Sequence, residues 1–162
     1  KAYYVSLYTD YKQLKDLVAL PISETEEVLK AFARFTFKLH RSGVFHNDYT
    51  IYNVLYSFTD DQYDFSLIDN NRMSFTDYSF RKGMKNLKRL SVPVDILGVI
   101  AAEYSKEANI NDYLTLNMMV FSRLRQMAHI SFKRWIKTPL RWITGKKNSL
   151  PINIKIRDKP VD

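Results

Sequence analysis

Residues 44–56 read VFHNDYTIYNVLY, placing His46, Asp48 and Asn53 at H-x-D-x-x-x-x-N spacing between two apolar runs. Downstream, the apolar run FSLI ends on a second aspartate, Asp69. One carboxylate to take a proton from a hydroxyl, then an amide oxygen and a second carboxylate to hold a hard cation, would make the floor of a phosphoryl-transfer site. Magnesium suits such a set, because it prefers oxygen ligands and keeps several of its waters. On this reading Asp48 is the base, and Asn53 and Asp69 are the magnesium ligands. An ordinary surface turn, with Asp48 in an Asx-turn over a buried structural histidine, fits the same spacing.

The flanking text supplies elements that could position these groups. SETEEVLKAFARFTFKLHRSG predicts a helix, with Ser23 and Glu26 as a capping box and Gly43 as terminator. Val28, Phe32, Phe35 and Leu39 recur along it at helical spacing. VFH predicts a short strand, and NVLYSF and DFSLID predict a hairpin around the polar TDDQ. AYYVSLY predicts a strand that runs into a polar connection at residues 9–12. Pro93 opens a helix over VDILGVIAAEYSKEA, and Asp112 is expected to cap a third. Met118 and Met119 are expected in the core, His40 near a helix C-terminus with a dipole role, and His129 as packing.

HNDYTIYN, FSLIDNNRMSF and GMKNLKRL together resemble the bacterial lipopolysaccharide-kinase family, the WaaP-like Kdo and heptose kinases. The resemblance covers roughly residues 1–106. It implies a protein-kinase-like fold, here the large C-terminal lobe with its hinge, and transfer from ATP with magnesium to a hydroxyl of a lipopolysaccharide inner-core sugar. It implies that His46 packs under the catalytic loop, that Asp48 is the base, and that Asn53 and Asp69 carry metal and nucleotide. YYVSLYTDYKQL resembles the hinge, where the backbone at Tyr4 and Ser6 would meet adenine. Asp95 resembles the helix aspartate that braces the loop in kinases, although a plain helix cap serves it equally.

The sequence departs from that pattern in places. Asn70 and Asn71 follow Asp69 where protein kinases carry Phe-Gly, and no lysine lies between Asp48 and Asn53. Sugar and small-molecule kinases often lack that lysine, which speaks against a protein substrate. Gly43, Gly83, Gly98 and Gly145 are scattered and form no phosphate loop. The sequence starts in strand-like text without an initiator Met, so the expectation is a fragment whose small lobe precedes Lys1. Alone it would be a weak kinase or none. The rival is a non-catalytic, pseudokinase-like module that docks on a membrane or protein. An uncovered lobe face would also favour self-association.

Composition bounds the rest. The chain has 162 residues and a net charge of +8, and the excess is local: ten basic residues and no acidic one lie between Asp112 and Asp158. Trp135 and Trp142 sit among them, which suits the interface of an anionic membrane or a basic helix that packs its tryptophans on the lobe. No zinc, helix-turn-helix or aromatic-sheet pattern accompanies this charge, so nucleic acid is not the expected partner. Arg81, Lys82, Lys85, Lys88 and Arg89 form a second basic cluster, several of which helical spacing would put on one face, either as a clamp for an anionic acceptor or as a plain solvated face. With no Cys, thiolate and disulfide chemistry are excluded. No apolar run reaches the ~20 residues of a membrane span. The expected whole is one α+β, mainly helical domain over 1–162, with a small β-hairpin system and no N-terminal lobe. Residues 1–12 would be hinge strand and linker, 13–112 catalytic lobe, and 113–162 a basic helical extension, cytoplasmic and peripheral at the inner membrane.

Overall fold

A computed structural model of the protein describes residues 8–121 together with 124, 125, 128, 131 and 132. The chain divides into two compact units, residues 1–125 and 126–162, and the features that follow belong to the first. They run β1 (Lys12–Gln13), a 3-10 helix (Leu14–Ala19), α1 (Ile22–Arg41), β2 (Val44–His46), β3 (Val54–Thr59) and β4 (Gln62–Leu67). A 3-10 turn (Asn70–Arg72), β5 (Met73–Phe75), α2 (Phe80–Leu87), a 3-10 turn (Lys88–Leu90) and α3 (Val94–Ala108) follow. Residues 112–121 form α4.

The apolar stripe of α1 decides the packing. Val28, Leu29, Phe32 and Ala33 are buried against Ile96, Leu97, Ile100, Ala101 and Tyr104 of α3. Full burial of each large apolar side chain is worth about 1.5–3 kcal/mol. Arg34 adds an ion pair to the nearly buried Glu103 across the same helix pair. Phe65 of β4 stacks on Phe35 at 5.3 Å, which ties the sheet to α1.

Two small antiparallel sheets complete the fold, with β1-β3-β4 in one and β2-β5 in the other. The β3-β4 hairpin forms as expected, because Asp60 and Asp61 take φ of 52° and 58° in its turn and aspartate tolerates the left-handed region of a type I′ turn. The second ladder pairs His46 with Met73. That register brings the start of one candidate loop beside the segment that follows Asp69.

Several local expectations need correction. Ser23 does not cap α1: the helix begins earlier, Pro21 is its cap, and no capping side-chain bond forms. Proline presets φ for helix entry, and the Pro21 carbonyl accepts from Glu24 N–H at 3.1 Å and from the Thr25 hydroxyl at 3.2 Å. Lys12 is not connection but strand, paired with Tyr56. Asn111 rather than Asp112 caps α4, accepting from Leu114 N–H at 3.3 Å. Asp95 is exposed and accepts from Ile96 N–H at 2.9 Å, so it serves the start of α3 and does not brace the loop. Met119 is buried, but Met118 is 37% exposed and outside the core.

Gly43 terminates α1 as expected, at φ 78°. A Cβ there would stand 2.9 Å from the Thr76 carbonyl oxygen. Gly43→Ala is therefore expected to cost about 1–2 kcal/mol from the left-handed backbone alone, read as a lower urea midpoint. An unchanged midpoint would contradict this placement.

Candidate active site

The loop after β2 closes on itself through hydrogen bonds. Asp48 N–H donates to His46 Nδ1 at 3.1 Å. His46 Nε2 lies 3.0 Å from the Ile68 carbonyl and 3.2 Å from that of Asp69. Carbonyls only accept, so Nε2 carries the proton and Nδ1 receives one, which selects a single neutral tautomer. His46 is fully buried. Asn53 Nδ2 donates to the Asp48 carbonyl at 2.8 Å, and Ile68 N–H donates to the Asn53 carbonyl at 3.1 Å. Residues 46, 48, 53 and 68–69 are thereby joined in one ring of bonds.

Tyr49 pins this ring to the core. Its ring is fully buried and stacks on Phe32 at 6.0 Å, and its hydroxyl meets Thr36 Oγ1 at 2.7 Å. Burial pushes the phenol up, so it stays protonated. Anchoring Tyr49 leaves its neighbour Asp48 half-buried at the rim. Among the described residues, no hydrogen bond reaches the Asp48 carboxylate.

Asn53 spends its Nδ2 on Asp48, and its Oδ1 has no hydrogen bond among the described residues. Asp69 takes a left-handed backbone, φ 62° and ψ 47°. Its carboxylate is 40% exposed and lies 3.8 Å from Arg72 Nε, a separation that contributes little at a wet surface. An amide oxygen and a lightly engaged carboxylate are hard donors of the kind magnesium accepts, so the residues fit that ion. Among the described residues no group of three or more His, Asp or Glu clusters as a metal site. A cation that keeps waters and phosphate oxygens requires none.

Sequence reasoning missed the layer beneath. His40 is fully buried: its Nε2 lies 3.0 Å from Asn86 Oδ1, and its Nδ1 lies 2.9 Å from the Tyr104 hydroxyl. Asn86 Nδ2 in turn donates to the His46 carbonyl at 2.8 Å. The expectation of a dipole role for His40 is therefore wrong, since that role needs a charged, wet imidazole. Burial lowers its pKa from 6.5 to about 4, with Asn86 opposing. The signal was available, because His40 continues the buried Leu29, Ala33 and Thr36 register. Likewise Asn86 shares the buried face of α2 with Gly83 and Met84, where a polar side chain demands partners.

The unfolded chain binds a proton at His40 near pH 6.5 and the folded chain only near 4. The stabilisation is thus complete above 6.5 and is lost as pH falls toward 4, a loss of about 3 kcal/mol. His40→Gln should flatten the dependence of the urea midpoint on pH between 7 and 4.5. An equal pH dependence in both proteins would remove His40 as its source.

Only part of the basic cluster shares a helical face. Arg81 and Lys85 are exposed on α2, but the helix ends at Leu87. Lys88 and Arg89 belong to the 3-10 turn. Lys82 Nζ donates to Thr76 Oγ1 and to the Asp77 carbonyl, both at 2.9 Å. Arg89 donates to the Asn47 carbonyl, within the candidate loop. Tyr4, Ser6, His129 and the segment with Trp135 and Trp142 lie outside the described residues.

Three comparisons bear on the chain. The family profile described as lipopolysaccharide kinase (Kdo/WaaP) family matches residues 4–113. Among solved structures, the chain is similar to WaaP in complex with acyl carrier protein, with a TM-score of 0.56 and 18% identity. That likeness covers 71% of this chain and 56% of the other, so the chain spans little more than half of that protein, and the likeness speaks for fold alone. No curated protein matches the sequence.

Proposed function

Because the chain belongs to the lipopolysaccharide kinase (Kdo/WaaP) family, we propose that it is the large lobe of a phosphotransferase that uses ATP and magnesium on an inner-core sugar hydroxyl. The observation that carries this reading is the hydrogen-bonded ring of His46, Asp48, Asn53 and Ile68–Asp69. It leaves the Asp48 carboxylate, Asn53 Oδ1 and the Asp69 carboxylate available beside one another's backbones.

In this mechanism Asp48 accepts the proton of the attacking sugar hydroxyl and orients its oxygen. A half-buried carboxylate held by its own backbone needs no rearrangement to do so. His46 is a positioning residue, since one imidazole fixes both the Asp48 amide and the Asp69 carbonyl. Asn53 Oδ1 and the Asp69 carboxylate would hold magnesium, which when bound neutralises charge on the nucleotide phosphates. Arg81, Lys85 and Lys88 supply cations for an anionic, phosphate- or carboxylate-bearing acceptor. Tyr4 and Ser6 are proposed for the adenine contact. Lys82 and Arg89 are engaged elsewhere.

The basic segment beyond Asp112 is proposed to meet an anionic membrane surface on the cytoplasmic side. No helix among the described residues is long and apolar enough to cross a membrane. The rival reading is a non-catalytic, pseudokinase-like module that docks on a membrane or a protein partner.

The deciding experiment incubates the intact protein with labelled ATP, magnesium and purified lipopolysaccharide core oligosaccharide. Label on the sugar that disappears with EDTA supports the enzyme. Absence of label with a folded protein supports the docking module.

A further inference from the structure

Two successive peptide carbonyls lead into Asp48, those of His46 and Asn47. Each is held by a side chain from one short stretch: Asn86 bonds the first at 2.8 Å, and Arg89 bonds the second. Asn86 is only 5% exposed, and the His46 ring and His40 are fully buried. Burial keeps His40, Asn86 and the His46 ring from exchanging these bonds for solvent, and donor and acceptor chemistry fixes the direction of each.

The chain of donors can be followed atom by atom. The His46 carbonyl can only accept, so Asn86 must present its Nδ2–H there and turn Oδ1 toward His40. Oδ1 can only accept, so His40 must carry its proton on Nε2. The bare Nδ1 then receives the Tyr104 hydroxyl hydrogen. One arrangement of protons satisfies all four residues. It spans α3 (Tyr104), α1 (His40), α2 (Asn86) and β2 (His46).

Gly83 supplies the space. A Cβ there would stand 2.3 Å from the Tyr104 hydroxyl oxygen and 3.2 Å from His40 Nδ1. The Tyr104–His40 bond therefore depends on a residue without a side chain, one helical turn before Asn86. Burial also holds the Tyr104 phenol protonated and keeps His40 neutral. Neutral groups are what this donor order requires.

We infer that Asn86 is a positioning residue for the transfer reaction, orienting the His46 peptide, and through it Asp48 and Asp69, from a buried relay with His40 and Tyr104. The inference rests on the reading of Asp48 and Asp69 given above. Rotation of the His46 peptide would swing the imidazole that fixes the Asp48 amide and the Asp69 carbonyl. Loss of Asn86 thus displaces base and metal ligand together. A small misplacement of reacting groups costs up to about 10²-fold in rate.

The test compares four forms of the intact protein in the labelled-ATP transfer assay, each with its thermal melt and with nucleotide KM measured separately. Asn86→Asp keeps the volume and the acceptor toward His40 but faces the His46 carbonyl with an acceptor where a donor is needed. Its kcat per folded molecule is expected to fall at least about tenfold, with nucleotide KM within about threefold. Tyr104→Phe keeps the ring and loses only the hydroxyl. Its kcat is expected to fall about threefold at unchanged KM, and it decides alone if Asn86→Asp does not fold.

A purely structural role would lower the melting temperature and leave kcat per folded molecule within about twofold of the parent, which overturns the inference. Asp48→Ala separates the two claims. If it abolishes transfer while the relay variants stay active, the relay is wrong and the site stands. If it transfers at the parent rate, the reading of the site is wrong and the relay loses its reaction.

Discussion

Replacing Asp48 by alanine is expected to lower kcat for phosphate transfer by about 10²–10⁴-fold, with nucleotide KM within a few-fold of the parent. The loss follows from removal of the one half-buried carboxylate in the loop without a hydrogen-bond partner among the described residues. The variant should remain folded, because every bond that shapes the loop at this position uses backbone. Asp48 N–H still reaches His46 Nδ1, and the Asp48 carbonyl still receives Asn53 Nδ2 and Thr50 N–H. Melting within a few degrees of the parent is the control. A kcat within twofold of the parent would take the base role away from Asp48.

The second large effect is expected at Asp69. Asp69→Asn should cost about 10³-fold in transfer and raise the magnesium concentration needed for half-maximal rate. Asparagine is the informative choice because of the backbone. At φ 62° most L residues are strained, but asparagine visits this region almost as readily as aspartate. Loss of activity then reports the missing charge and not a distorted loop. Asp69→Ala would combine both, adding about 1–2 kcal/mol of left-handed strain. A parent-like magnesium dependence in Asp69→Asn would show that the metal is held elsewhere.

The elements legible in the sequence were those governed by local rules. The α1 stripe, the Pro93 start of α3, the Asp60–Asp61 hairpin turn and the Gly43 stop each depend on a few neighbouring residues. The proximity of His46, Asp48, Asn53 and Asp69 was legible for the same reason, because loop and hairpin are contiguous in the chain. Caps were read less well. Ser23 and Asp112 looked like caps by type, but Pro21 and Asn111 hold those places, one or two residues earlier, where residue type alone does not fix a helix end.

What could not be read were bonds between distant segments. Asn86 reaches His46, Arg89 reaches Asn47, and Tyr104 reaches His40 across intervals that no periodicity encodes. The five-residue basic cluster looked uniform in the text. In the fold, Lys82 and Arg89 carry internal bonds, and α2 ends before Lys88. Charge alone did not distinguish an exposed cation from one that holds a peptide in place.

The central claim is that the Asp48 carboxylate, Asn53 Oδ1 and the Asp69 carboxylate face one shared pocket for a cation and a hydroxyl. The most direct measurement is a crystal structure of the intact protein with magnesium and a non-hydrolysable ATP analogue. A magnesium ion is expected at about 2.1 Å from both Asn53 Oδ1 and an Asp69 oxygen, with the Asp48 carboxylate opening onto the terminal phosphate. A metal–nucleotide complex bound away from Asn53 and Asp69, or an Asp48 side chain turned from it, would contradict the account.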